Sequence, residues 1–354
     1  MSNIDIERVL TQGNPDGLTQ EQIKQAIDDV EEDNGMEDRF SSDGTVHDKI
    51  RLKELQSLPL DRKIGITIAR IVEWYKYWNG LVYISFSGGK DSTVLLHIAR
   101  QIFPDIEAVF VDTGLEYPEV RENVKRWDNV TWLKPKMNFR QVIEKYGYPV
   151  ISKEQSAFIK EYRTTKSEKL KNIRINGNKY GRGKISKKWQ FMINAPFLIS
   201  DKCCDVMKKK PAKIYERETS KHPIIGTMAS ESEQRRSNWL LYGCNAFGKT
   251  RPTSNPMSFW TEQDVLQYIK IFNIPIASVY GDIVKENGKL KTTGCDRTGC
   301  MFCMYGCHLE KEPNRFQRMK ETHPKIYEYC MRDWETGGLG LKRVLDYYIG
   351  VKTE

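Results

Sequence analysis

The chain has 354 residues, 56 Lys and Arg against 47 Asp and Glu for a formal charge of +9, and eight cysteines. That length suits one large α/β domain with additions, or two domains. No stretch approaches the ~20 apolar residues of a membrane span, and the opening MSNIDIERVL lacks a secretory apolar core, so a cytoplasmic protein is expected whose cysteines serve as thiols or metal ligands rather than as a disulfide framework.

The charge is unevenly spread. Lys153 to Gln190 carries 12 basic residues against 3 acidic ones, which is the whole formal excess, whereas residues 1 to 50 carry 13 acidic against 4 basic. Within the acidic part, Thr19-Gln-Glu-Gln22 reads as a capping box for a helix running to about Glu32. Residues 1–58 are therefore expected as an acidic helical extension, either a solvated helix or a partner-binding arm.

From Leu60 to Trp78, Ile64, Ile68, Ile71, Val72, Trp74 and Tyr75 recur at helical spacing, so a helix with a broad apolar face is predicted there. The β-prone run Leu81 to Phe86 then ends in Ser87-Gly88-Gly89-Lys90-Asp91-Ser92, and the helical pattern TVLLHIARQI follows at once. Strand, tight loop and helix in that order make an anion cradle. Two glycines let backbone N–H groups approach a ligand, and the helix N-terminus adds partial positive charge. Lys90 adds a cation, while Ser87 and Ser92 add hydroxyls, so a phosphate or pyrophosphate is the natural guest. A Walker-type P-loop is excluded, because Gly88 and Gly89 are adjacent and Asp91 follows Lys90.

SGGKDS resembles instead the PP-loop of ATP pyrophosphatases, the adenine nucleotide α-hydrolase group. A second buried-type strand, Glu107 to Val111, leads into Asp112-Thr113-Gly114 and completes a βαβ unit. Ligands of such sheets lie beyond the carboxyl ends of the strands, so these three residues are expected at the ribose or adenine end of a nucleotide. FVDTGLEYPEV is similar to the corresponding segment of phosphoadenosine phosphosulfate (PAPS) reductases. Helix Pro118 to Trp127 and a strand near Val130 to Leu133 continue the alternation.

The basic segment 153–190 interrupts it. Lysines and arginines interleaved with Tyr162, Tyr180 and Trp189 could neutralise backbone phosphates while rings stack on exposed bases, so nucleic acid is an expected partner beside the plainer reading of a solvated insertion. After Cys203-Cys204 comes a strand, His222 to Thr227, running into MASESEQRRS. PAPS reductase relatives carry Gly-x-Arg, then Glu-Ser, then Arg in this region. Met228 stands in place of the first Arg, while Glu231 and Arg235 or Arg236 remain candidate anion-site residues. Thr261 with Asp264 three residues on starts another helix.

The last chemical feature is TGCDRTGCMFCMYGC. Cys300-x-x-Cys303 is flanked by Cys295 and Cys307, and four cysteines this close point to a metal or cluster. Those four alone would suffice for tetrahedral Zn²⁺ or a compact cluster. The iron-sulfur branch of the sulfonucleotide reductases binds one [4Fe-4S] cluster through an adjacent Cys-Cys pair and a later Gly-Cys-x-x-Cys. That resemblance implies Cys203, Cys204, Cys300 and Cys303 as ligands, and leaves Cys244 and Cys330 as ordinary thiols.

The resemblance to the PAPS reductase and PP-loop ATP pyrophosphatase superfamily covers about Leu60 to Cys307. It implies a doubly wound, mostly parallel sheet with an N-terminal helical extension and a Cys-rich C-terminal part. The spans expected are residues 1–58, a nucleotide-binding domain over 59–275 with the basic insertion, and 276–354. In activity, it implies ATP cleavage to AMP and pyrophosphate for sulfur transfer, similar to DNA phosphorothioation proteins and tRNA thiolases. Ser87, Gly88, Gly89, Lys90 and Ser92 would hold pyrophosphate and Asp91 would hold Mg²⁺, with a cysteine desulfurase or another donor supplying sulfur. A sulfonucleotide reductase is the alternative. Its attacking cysteine lies in a C-terminal Glu-Cys-Gly-Leu-His tail, and no cysteine follows Cys330 here. A non-catalytic, nucleotide-sensing nucleic-acid binder is the rival from another class.

Overall fold

The computed structural model describes residues 47–354; the Thr19–Gln22 capping box lies outside them. The chain divides into two units interleaved in sequence, unlike the consecutive spans expected. The first holds the described residues up to Val111 with Tyr117–Leu133 and Lys213–Thr298, and the second holds Asp112–Glu116, Lys134–Ala212 and Gly299–Glu354. The basic segment therefore folds with the C-terminal cysteines rather than as an insertion in the sheet-bearing unit.

The first unit is built on a six-stranded sheet. Its strands are β1 (Val82–Ser85), β2 (Ala108–Val111), β3 (Val130–Leu133), β5 (His222–Ile225), β6 (Asn245–Ala246) and β7 (Thr253–Ser254), in the order β3-β2-β1-β5-β7-β6. Every pair is parallel except β6 with β7. The central strands β1 and β2 are buried at three of their four positions, without the alternation of a one-sided sheet. From β1 the chain winds outward to β2 and β3, then returns to β5 on the other side of β1. The strand order thus reverses beside β1, and a crevice at the carboxyl ends of β1 and β5 is where such sheets take ligands.

The helix predicted from Leu60 is present as Leu60–Tyr77, with Ile68, Ile71 and Trp74 wholly buried. They join Ile84, Leu95, Phe110, Phe259 and Trp260 in one core. The aromatics of that helix are packing residues, as Tyr75 stacks on Phe103 with ring centroids 3.8 Å apart. The capping box read at Thr261 and Asp264 starts the helix Glu262–Ile271.

In the second unit, β4 (Val150–Ile151) pairs in parallel with the short strand Met304–Tyr305. That strand follows Cys303 directly, and β4 leads through its Ser152 N-cap into the helix Lys153–Thr164, so this pairing sets the Cys-x-x-Cys turn beside the start of the basic segment. That segment is folded as the helices Lys153–Thr164 and Glu168–Asn176 and the 3₁₀ turn Lys187–Asn194. Among the described residues, no helix is long and apolar enough to cross a membrane.

Candidate nucleotide and cysteine sites

The loop after β1 has the shape its glycines foretell. Gly88 sits at φ +72, and a Cβ there would lie 2.6 Å from Val124 Cγ2 and 2.8 Å from Val120 Cγ1. Only glycine meets both conditions, since a left-handed conformation costs other residues about 1–2 kcal/mol before any clash. The carboxamide of Asn123 holds the Gly88 carbonyl at 3.3 Å. Gly89 begins the helix Lys90–Ile102, and no side chain caps that end, which leaves first-turn N–H groups for an anion. Ser92 Oγ donates to the Gly89 carbonyl at 2.9 Å and lies 3.0 Å from Ser87 Oγ. The two serines therefore brace the loop from within. β5 ends close by: a Cβ on Gly226 would come within 3.1 Å of the Asp91 carbonyl oxygen.

Lys90 is only 3% exposed. Its ammonium donates to the Asp296 carbonyl at 2.6 Å, pairs with Glu262 at 3.1 Å and lies over the Tyr280 ring. Glu262 is half-exposed, so a phosphate can take over that charge while the carboxylate turns to water. Tyr280 also accepts the Lys90 N–H through its hydroxyl, which is 2.7 Å from Thr298 Oγ1. Asp91 is half-buried, its enclosed Oδ1 has no hydrogen-bond partner, and desolvation pushes its carboxyl pKa up against the pull of Lys90, Arg297 and Arg235. An orphaned carboxylate oxygen among cations is suited to a divalent metal that arrives with a polyphosphate.

Of the arginines read from MASESEQRRS, the structure brings Arg235 to this loop and turns Arg236 to Glu233 on its own helix. Glu231 holds its own turn and two cations together. It accepts the Met228 N–H at 2.8 Å and pairs with both Arg235 and Arg297, the latter at 2.8 Å. Met228 is core, and Arg297 is a second cation acting on Asp91 beside Arg235. The sequence reading missed Glu262, Tyr280, Asp296, Arg297 and Thr298. The only signal was an arginine inside the cysteine pattern, where spacing drew attention to its neighbours. Arg297→Ala is expected to weaken pyrophosphate binding by about tenfold or more, the worth of one charge-assisted hydrogen bond. Its side chain is largely exposed, so thermal unfolding should not move while calorimetric titration does.

Asp112 follows β2, and its carboxylate accepts the Gly114 N–H at 3.2 Å. Thr113 donates its N–H at 3.0 Å and its hydroxyl at 2.8 Å to Glu116. Glu116 pairs in turn with Lys208 at 3.4 Å, and the Leu115 carbonyl accepts the Met301 N–H at 2.8 Å. The Asp-Thr-Gly turn is thus tied to the cysteine segments.

The structure brings Cys203, Cys204, Cys300 and Cys303 into mutual electrostatic range, all as free thiols. The Cys203 thiol is pushed up by its hydrogen bond to Cys204 and by burial. Cys204 is drawn down by that same bond, and Lys153 and Lys208 favour its thiolate against burial. Cys300 is pushed up to about 11 by burial, with Lys208 pulling the other way. Burial opposes the charge of Lys208, but Cys300 and Glu116 outweigh it and hold the ammonium above its ordinary range. Two cations facing four thiols suit an anionic guest. Among the described residues no group of three or more His, Cys, Asp or Glu side chains is set to hold a metal ion. Of the second candidate set, Cys307 donates to the Met304 carbonyl at 3.0 Å, while Cys295 belongs to the first unit, 4.0 Å from the Tyr117 hydroxyl.

Comparison with known proteins adds a family. The phosphoadenosine phosphosulfate reductase domain matches residues 81–177 and 153–305, more than half of the chain. An uncharacterized protein of Methanocaldococcus jannaschii is 25% identical over 80% of this chain and 54% of its own length. A second from that organism is 25% identical over 70% of this chain and 40% of its own length, so the chain spans about half of these relatives or less. An adenosine 5'-phosphosulfate reductase of Bacillus cereus is 23% identical over 58% of this chain and 70% of its own length. Among solved structures, the phosphate complex of phosphoadenylyl-sulfate reductase from Candida auris aligns over 70% of this chain and 99% of its own, with 14% identity and a TM-score of 0.35.

Proposed function

The chain belongs to the phosphoadenosine phosphosulfate reductase domain family, and from that premise we propose that it is an ATP pyrophosphatase that activates an acceptor for sulfur transfer. The observation that carries this reading is the intact Ser87–Ser92 cradle with Lys90 buried at its floor. A β,γ-pyrophosphate needs a cation and open N–H groups of that kind, whereas a sulfonucleotide has none to place there.

An acceptor oxygen attacks the α-phosphorus of ATP, the bond to the α,β-bridging oxygen breaks, and pyrophosphate leaves with the electron pair. The adenylated acceptor then loses AMP to an incoming sulfur nucleophile. In this scheme Ser87, Gly88, Gly89 and Ser92 shape the pocket for the leaving group, and Lys90, Arg235 and Arg297 offset its growing charge. Asp91 would hold Mg²⁺, which when bound supplies further charge neutralisation. Cys203, Cys204, Cys300 and Cys303 would hold a [4Fe-4S] cluster, which when bound keeps or delivers sulfur or braces its unit.

Anaerobically purified protein given α-labelled ATP should yield AMP and pyrophosphate in equal amounts and contain about four irons with matching sulfide. ADP with inorganic phosphate, or one zinc per chain, would overturn the respective assignment. The relatives named adenosine 5'-phosphosulfate reductase favour a second reading, which the same preparation separates. Adenylyl sulfate with a dithiol reductant would then give AMP and sulfite, and ATP would be left intact.

A further inference from the structure

We propose that the Lys179–Phe191 face of the second unit is an RNA-binding surface, gripping the backbone with exposed cations and stacking unpaired loop bases on Tyr180 and Phe191. The inference deepens the sulfur-transfer reading by naming the class of its acceptor, and rests on that reading only for what the bound RNA is for.

The structure sorts the basic segment into two kinds of cation. Arg163 is spent on the fold, donating to the backbone carbonyls of Met192, Ile193, Ala195 and Phe197 at 2.6–2.9 Å. Arg174 pairs with Glu161 and lies 4.1 Å from the Phe158 ring centroid, and Lys160 pairs with Asp201. Lys179, Arg182, Lys184, Lys187 and Lys188 are different: all are exposed, and none joins an ion pair among the described residues. Two of the segment's three acids cannot offset them, because Glu161 and Glu168 are already paired with Arg174 and Lys171.

These cations stand on a built surface. Asn178 Oδ1 accepts the N–H groups of Tyr180 and Arg182 at 2.9 and 3.0 Å, closing a turn with Lys179, Tyr180 and Arg182 at its tip. The Ile185 N–H donates to the Arg174 carbonyl at 2.7 Å, and Gln155 Oε1 accepts the Ser186 N–H at 2.9 Å, which ties the turn to both helices. Tyr180 is 71% exposed and Phe191 52%. The Lys179 ammonium lies 4.9 Å from the Tyr180 ring centroid, and Phe191 sits beside buried Trp189 with centroids 6.3 Å apart. Exposed rings flanked by unpaired cations have little to gain from a double helix, whose base faces are hidden. They suit unpaired bases next to a phosphate run, and folded RNAs present these in loops. The cysteines belong to this same unit, and Lys153, at the start of the segment's first helix, acts electrostatically on Cys204.

The test is fluorescence anisotropy of the full chain, kept anaerobic and without ATP, with a labelled RNA hairpin carrying an unpaired loop. Binding should weaken with salt at a log–log slope of about −0.7 per phosphate neutralised. Lys184→Gln with Lys187→Gln and Lys188→Gln should raise Kd about tenfold or more and flatten that slope. Tyr180→Ala should weaken the hairpin several-fold while leaving the slope unchanged, as expected of a stacking contact. Absence of binding, or binding indifferent to the lysine variants, overturns the proposal. So does equal binding of a fully paired duplex, or tighter binding of single-stranded DNA. Loss of pyrophosphate release with RNA binding intact overturns the activity reading and supports this one.

Discussion

For the proposed ATP pyrophosphatase activity, replacing Lys90 with Ala is expected to lower AMP and pyrophosphate formation by about 10²–10³-fold, the usual cost of removing one preorganised donor from a developing oxyanion. The side chain is almost fully enclosed, and its partners are the Asp296 carbonyl and Glu262. Truncation leaves Glu262 half in water, so it need not bury an unpaired charge. Lys90→Met keeps the aliphatic stem against Tyr280 and should match Lys90→Ala in rate while unfolding at the wild-type temperature. A rate within a few-fold of wild type in either variant would remove Lys90 from the reaction.

The largest effect on stability is expected elsewhere in the same unit. Lys63, 1% exposed, donates to Asp264 at 2.7 Å and to the Gln56 carbonyl at 2.8 Å. Asp264 Oδ2 also accepts the Thr261 N–H and hydroxyl, both at 2.7 Å, and so caps the helix Glu262–Ile271. Lys63→Ala strands that carboxylate among apolar neighbours and should cost about 3–5 kcal/mol in urea unfolding. The double variant Lys63→Met with Asp264→Leu should recover most of this, since two apolar side chains carry no desolvation penalty, less the value of the lost cap. If the single variant unfolds at the wild-type midpoint, the pair is decorative. Because Glu262 opens the same helix, a destabilised Lys63 variant should also bind pyrophosphate less tightly.

The legible parts of this protein are those whose physics is local. The strand before Ser87, the glycine turn and the helix after it follow from neighbouring residues, as does the capping box at Thr261. A resemblance, not local physics, implied Cys203, Cys204, Cys300 and Cys303 as one ligand set, and all four lie in the second unit. The Lys90 environment was not legible. Tyr280 and Asp296 reach it across 190 and 206 positions of chain, and a tyrosine in NIPIASVY carries no mark of the lysine it will meet. The basic segment was read as a uniform run of charge, yet folding spends Arg163, Arg174 and Lys160 on carbonyls, a ring and carboxylates. Which cations remain for a partner depends on where those acceptors land.

By itself, then, the sequence determined the Ser87–Ser92 turn and the alternation of strands and helices that supports it. Residues a few positions apart meet there whatever the rest of the chain does, because φ > 0 at Gly88 and a helix start at Lys90 are satisfied within one turn. Only the tertiary structure decided what surrounds the Lys90 ammonium, that Arg297 pairs with Glu231 and which unit the basic segment belongs to. Those outcomes depend on burial, which lowers the dielectric and makes each charge seek a partner across the whole fold. That search is settled by packing and is not written in spacing.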